Sequence, residues 1–201
     1  MEAPQHQHPV PPPQAPSGDP SGGESGTGGL PDTPAEGARE VTVTVPTAEA
    51  MRALGTRLAG LLRAGDLVLL TGELGAGKTT LTRGLGEGLG VRGAVTSPTF
   101  VIARVHPSLT EGPPLVHVDA YRLGGGLEEM EDLDLDVSLP ESVVVVEWGE
   151  GRVEELTEER LHVVIARTTG EGAEEGADDV RTVTFLGVGE RWERADLEAL
   201  G

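Results

Sequence analysis

Eight consecutive residues, Gly72-Glu73-Leu74-Gly75-Ala76-Gly77-Lys78-Thr79, carry glycine at the first and sixth positions, then lysine and a hydroxyl residue. This is the spacing of a phosphate-binding loop (P-loop), and it stands where that loop requires, between an apolar run and a helical pattern. The glycines let successive backbone N–H groups converge on the β-phosphate of a nucleotide, and the helix that follows adds the positive end of its dipole. Lys78 would reach the β and γ oxygens, and the Thr79 hydroxyl would ligate Mg²⁺ beside Thr80. Lys78 is the only lysine in a chain with 14 arginines. A compact ammonium fits inside a ring of N–H groups around a phosphate, whereas a planar guanidinium does not.

Such a loop needs a carboxylate at the end of a neighbouring strand to hold Mg²⁺ or its water, and a polar group to orient the attacking nucleophile. Two acids close apolar runs. Asp119 ends Leu115-Val116-His117-Val118-Asp119 and leads into Ala120-Tyr121-Arg122, and Glu147 ends Val143-Val144-Val145-Val146-Glu147 and leads into Trp148-Gly149. Ligands of such sheets bind at the carboxyl ends of strands, so both acids are candidates, and their roles stay open at this level. Ser97-Pro98-Thr99-Phe100 sets hydroxyls on both sides of a rigid proline, which suits a γ-phosphate switch as well as a plain turn into a strand. Trp148 can stack on a base or pack in the core. His106 and His117 have no metal-ligand partner at helical spacing and read as structural.

The elements that must position these residues follow from periodicity. Val41-Thr-Val-Thr-Val45 alternates as a strand and stops at Pro46. Thr47 is a suitable N-cap for an amphipathic helix over Ala48 to Ala64, with Met51, Leu54, Leu58, Leu61 and Leu62 on one face. Leu67 to Leu70 is apolar without alternation, as in a strand buried on both faces. After the loop, Leu81, Leu85 and Leu89 predict a helix ending near Gly90. Further strands are predicted at Thr99 to Val105, Leu115 to Asp119, Ser142 to Glu147, Leu161 to Arg167 and Val180 to Leu186. Gly124 to Leu139 reads as a short helix plus irregular chain, Gly170 to Asp179 as an exposed hairpin or loop, and Arg191 to Leu200 as a short terminal helix. The expected fold is α/β, a single P-loop NTPase-like domain with a parallel or mixed central sheet flanked by helices.

The 201 residues fit one domain over residues 39–201 behind a tail of residues 1–38. That tail holds nine of the 15 prolines and almost no large apolar residue. It cannot offset its own ordering entropy by burial and is expected to be disordered. The net charge is −19, of which the tail contributes −5 and the rest −14. A broad basic surface for grasping a nucleic-acid backbone is thereby excluded. The absence of cysteine excludes disulfides, thiol nucleophiles and Cys-ligated metal or iron–sulfur sites. Neither an apolar signal segment nor a membrane span is visible, so a cytoplasmic location is expected.

Taken together, the motifs resemble those of the TsaE family, the ATPase component of bacterial tRNA threonylcarbamoyladenosine synthesis. They are, in order, Gly72 to Thr80, Thr96-Ser-Pro-Thr-Phe100, His117-Val-Asp-Ala-Tyr-Arg122 and Val146-Glu-Trp-Gly149, and the resemblance spans about Val41 to Thr168. It implies an ATP- and Mg²⁺-dependent auxiliary of the TsaB and TsaD proteins, of which TsaD transfers the threonylcarbamoyl group to an adenosine beside the anticodon. It further implies that Thr79 and Glu147 ligate Mg²⁺, that Asp119 serves hydrolysis, and that Trp148 belongs to the nucleotide site; Tyr121 and Arg122, which follow Asp119, are candidate supporting residues. Contact with tRNA is expected only through those partners, since a chain at −19 is a poor RNA binder by itself. Arg122 and Arg104 are the candidates for an arginine acting on the phosphates in cis, and neither is obvious. Two other readings use the same loop. A small-molecule kinase would take Asp119 as base towards an acceptor hydroxyl, but the insertions here are acidic or Gly-rich where an Arg-rich lid is usual. A non-catalytic module would bind ATP and dock a partner through Ser97 to Phe100.

Overall fold

The apolar runs become the strands of one mixed sheet in the computed structural model of the chain, which describes residues 39–98, 102–122, 135–149, 157–167 and 180–201. The strands are β1 (Arg39–Val45), β2 (Leu67–Thr71), β3 (Ala103–His106), β4 (Leu115–Asp119), β5 (Val143–Glu147), β6 (Arg160–Arg167) and β7 (Arg181–Val188). Their spatial order is β1-β7-β6-β2-β5-β4-β3. The four central strands β6, β2, β5 and β4 are mutually parallel, while β7 and β3 run against their neighbours. The architecture is thus an α/β domain with a mixed sheet.

Burial on both faces explains the unbroken apolar runs. Leu67 to Leu70 and Val143 to Val146 are all fully shielded from solvent. On one face Val68, Leu70, Leu115, Val143 and Val145 pack beneath two helices, α1 (Ala48–Ala59) and α2 (Lys78–Gly88). On the other face Leu67, Leu69, Val116, Val118, Val144 and Val146 join Leu135 of a one-turn helix, α3 (Leu135–Ser138), and Leu139 of the 3-10 turn Leu139–Glu141. Each such side chain contributes roughly 1.5–3 kcal/mol relative to exposure.

Thr47 caps α1 as its sequence position predicts, its hydroxyl accepting from the Ala50 N–H at 3.1 Å. The helix stops at Ala59, short of the expected Ala64, because the chain must turn back into β2. Gly60 closes the last turn and Asp66 accepts from the Arg63 N–H at 2.9 Å. The two helices meet backbone to backbone. A Cβ on Gly84 would stand 1.9 Å from the Arg52 carbonyl oxygen, and one on Gly55 would stand 2.2 Å from that of Leu81. This approach presses α2, which starts at Lys78, onto α1 and the sheet.

Other boundaries also shift. β3 starts at Ala103 because Ile102 has φ 64°, outside extended backbone, and Thr99 to Val101 lie outside the described residues. The expected terminal helix divides into α4 (Glu190–Glu193) and a 3-10 turn, Leu197–Leu200. Trp192 anchors that end, fully buried over Gly187, and Arg191 donates to both Asp66 oxygens at 3.2 and 3.0 Å. The tail of residues 1–38, the loop Gly170 to Asp179 and most of the Gly124 to Leu139 stretch lie outside the described residues. Among the described residues no helix is long and apolar enough to cross a membrane.

Candidate functional site

The carboxyl ends of β2, β5 and β4 lie side by side, and their register pairs Asp119 with Glu147 across adjacent strands. Strand period two then turns His117, Asp119, Val145 and Glu147 to the same face, beneath the start of α2. Here lies an open-sided cavity of about 520 Å³ lined by Leu74, Gly75 and Gly77 of the loop, by Lys78, Thr79 and Thr80 at the start of α2, by Ser97, Asp119 and Tyr121, and by Glu147 and Trp148. Gly72 and Glu73 supply carbonyls to the Lys78 ammonium at 2.6 and 3.0 Å, while Ala76 is buried beneath the loop. The turn depends on glycine. Gly72, Gly75 and Gly77 all have positive φ, and a Cβ on Gly72 would lie 2.5 Å from the Ile165 carbonyl oxygen.

Lys78 is 5% exposed and sits under Trp148, its Nζ 3.8 Å from the ring centroid. Burial lowers its pKa from the usual lysine value, and the nearby Glu147 and Asp119 charges oppose that shift. Trp148 holds φ 62°, a costly conformation for a residue with a Cβ, and its N–H donates to Leu70 O at 3.2 Å. Tyr121 leans on the same ring with centroids 5.3 Å apart.

Glu147 is 3% exposed. The Thr79 hydroxyl donates to its two oxygens at 3.1 and 3.4 Å, and His117 Nε2 lies 2.9 Å from Oε1. A carboxylate only accepts, which assigns the proton to Nε2. His117 Nδ1 is buried with no hydrogen-bond partner among the described residues. Asp119 accepts from the Ser97 hydroxyl at 3.3 Å and from the Tyr121 N–H at 3.1 Å.

The donor set fits Mg²⁺. Thr79 Oγ1 and Glu147 Oε1 are hard oxygens 3.1 Å apart. Two neighbouring ligands on an octahedral ion with bonds of about 2.1 Å are about 3.0 Å apart. Among the described residues no group of three or more His, Cys, Asp or Glu side chains is arranged to hold a metal alone.

The fold therefore brings together Lys78, Thr79, Thr80, Ser97, Asp119, Tyr121, Glu147 and Trp148. Pro98 is buried beside them, whereas Thr99, Phe100 and the Arg122 side chain lie outside what is described. Arg104 donates to Thr96 Oγ1 at an exposed position and does not line the cavity. His117, read as structural, touches Glu147; its place two residues before Asp119 on one strand was the available signal for that contact. Two further arginines escaped the sequence reading. Arg167 donates to Gly75 O at 3.1 Å and Arg181 to Ala76 O at 3.0 Å. Both contacts come from strands distant in sequence, and no local spacing announces them.

Comparison with known proteins agrees with this arrangement. The sequence profile of the family described as "Threonylcarbamoyl adenosine biosynthesis protein TsaE" matches residues 45–175. The tRNA threonylcarbamoyladenosine biosynthesis protein TsaE of Streptomyces coelicolor is 76% identical over 150 residues, covering 75% of this chain and 99% of the relative. The protein of the same name from Bacillus subtilis is 41% identical over 147 residues, covering 72% and 84%. Among solved structures, the crystal structure of Bacillus subtilis YdiB superposes with a TM-score of 0.60 at 34% identity, covering 78% of this chain and 90% of that one. A P-loop backed by two strand-end carboxylates, with a matching profile over residues 45–175, leads to one assignment: the chain belongs to the TsaE family.

Proposed function

We propose that this chain is a Mg²⁺-dependent ATPase that assists a TsaB–TsaD pair in forming threonylcarbamoyladenosine in tRNA, hydrolysing ATP to ADP and phosphate. The observation that carries the reading is the convergence of Lys78, Thr79, Asp119 and Glu147 on one cavity at the ends of three adjacent strands. The relatives' role in tRNA threonylcarbamoyladenosine biosynthesis suggests the pathway.

Bound Mg²⁺ would neutralise charge on the β and γ oxygens, and Thr79 and Glu147 are the side chains placed to hold it. Lys78 shares the phosphate charge. Its ammonium is held by two loop carbonyls and the Trp148 ring, and phosphate oxygens would take over those contacts. Asp119 orients the attacking water, its own oxygens fixed by Ser97 and the Tyr121 N–H. No arginine lines the cavity among the described residues. Turnover by the chain alone is therefore expected to be slow, and faster with partners that complete the site.

Phosphate release from ATP and Mg²⁺ tests this, measured for the chain alone, with purified TsaB and TsaD, and for Lys78→Ala. The expected result is stimulation by the pair that disappears in the variant. Unchanged hydrolysis by Lys78→Ala overturns the assignment. ATP binding without stimulation would favour the kinase or the docking module.

A further inference from the structure

We infer that Arg167 and Arg181 form a bracket that holds the phosphate-binding loop in its anion-receiving shape, making them positioning residues for the polyphosphate. The inference rests on the nucleotide reading above and concerns two residues outside its motifs. They stand directly opposite each other in the antiparallel β6–β7 pair. Like charges at that spacing repel and weaken a sheet, so the ladder itself gives no reason for the pairing. The loop does give one. Arg167 donates to the carbonyl of Gly75 at 3.1 Å, and Arg181 donates through Nε to that of Ala76, the next residue, at 3.0 Å.

A trans peptide points its C=O and the following N–H in opposite directions. Drawing the Ala76 carbonyl to Arg181 therefore turns the Gly77 N–H away from Arg181. The outward carbonyl of Gly75 is matched by the Ala76 N–H, which donates to Glu73 O at 3.1 Å and closes the turn. Glycines at 75 and 77 leave this stretch free to take other shapes, so something must select the one that presents N–H groups. The approach is close: a Cβ on Gly75 would lie 2.8 Å from the Arg167 guanidinium nitrogen. Two cations next to the loop also raise the local potential for a polyphosphate in a chain whose net charge is −19. The acidic strands β4 and β5 lie on one side of β2, and the bracket rises from β6 and β7 on the other.

Calorimetric titration of inorganic tripolyphosphate and of ATP, each with Mg²⁺, separates this role from its rivals. Arg181→Met, Arg167→Met and Arg181→Lys are compared with the wild type, alongside melting temperatures without ligand. The expected result is that both methionine variants bind tripolyphosphate and ATP weaker by the same factor, about ten-fold for Arg181→Met and several-fold for Arg167→Met. Their ligand-free melting temperatures stay near that of the wild type, and Arg181→Lys recovers part of the loss. ATP weakened with tripolyphosphate unchanged would overturn the bracket and assign Arg181 to the nucleoside. Unchanged affinities with lowered melting temperatures would leave only a structural role and overturn it too. Should Arg181→Met fail to fold, the exposed Arg167→Met decides alone. A wild type that binds neither ligand refutes the underlying nucleotide reading, whereas a wild type that binds both, with variants equal to it, refutes the bracket by itself.

Discussion

Glu147 is approached from two sides, by the Thr79 hydroxyl from the start of α2 and by the His117 ring from the neighbouring strand. The second contact holds Oε1 from the neighbouring strand, the same oxygen that the Thr79 hydroxyl approaches at 3.1 Å. Groups that hold a metal's ligands in place commonly matter 10–100-fold for metal affinity. His117→Leu keeps the volume and removes the donor. It is expected to raise the Mg²⁺ concentration needed for half-maximal nucleotide hydrolysis by about ten-fold or more, and to leave binding of metal-free nucleotide unchanged. Titrating Mg²⁺ at fixed ATP checks the first part, and calorimetry in EDTA the second; equal losses with and without metal would reduce His117 to packing. At this scale the sequence was informative wherever chemistry is encoded by local order. The loop glycines, Lys78, Thr79 and the strand-end acids announce themselves by spacing. His117 is marked only by its place two residues before Asp119, and Arg167 and Arg181 touch the loop from strands distant in sequence, with nothing beside them in the chain to mark it.

Between the elements, the position of Lys78 and Thr79 depends on how closely α2 lies against α1. The contact is made through glycine on both helices, and the atoms that an added methyl group would strike at Gly84 belong to the Arg52 backbone. Backbone cannot step aside as a side chain can. At Gly86, by contrast, the nearest obstacle is a methyl group of Val95 at 2.5 Å. Gly84→Ala is therefore expected to destabilise the fold by about 3 kcal/mol, at the upper end of overpacking costs and against the small gain in helix propensity. Gly86→Ala should cost clearly less, about 1 kcal/mol, because Val95 can shift. Urea unfolding of the two variants measures the difference, and equal midpoints would contradict the asymmetry. The helices and most strands were legible because apolar period and run length report local burial. Strand order, the reversed directions of β7 and β3, and this glycine contact were not, since each is settled by pairing between distant segments. The end of α1 at Ala59 belongs with them: Leu61 and Leu62 continue the apolar stripe, but Asp66 and the entry to β2 decide where the chain turns.

For the molecule as a whole, charge governs what it can meet. The net charge of −19 has the sign of a phosphate backbone, and the residues outside the tail still carry −14. Proteins that hold nucleic acid without sequence preference do so by displacing condensed counterions with Lys and Arg, and their affinity falls steeply with salt. This chain has a single lysine, and it is buried in the loop. Several of its arginines are already committed within the protein: Arg191 to Asp66, Arg52 to Glu87, Arg57 to Leu200 O, and Arg167 and Arg181 to the loop carbonyls. The proposed role in tRNA modification predicts that the RNA is held by other proteins and that this chain meets it through them. The expected outcome is that the chain alone causes no change in the fluorescence anisotropy of labelled tRNA at about 50 mM salt, at concentrations where basic proteins bind non-specifically, about 10⁻⁶ to 10⁻⁴ M. Adding TsaB, TsaD and ATP should bring it into a tRNA-containing assembly. Binding by the chain alone that weakens steeply between low and physiological salt would mean that a basic face contacts RNA directly, and the protein-mediated role would have to be abandoned.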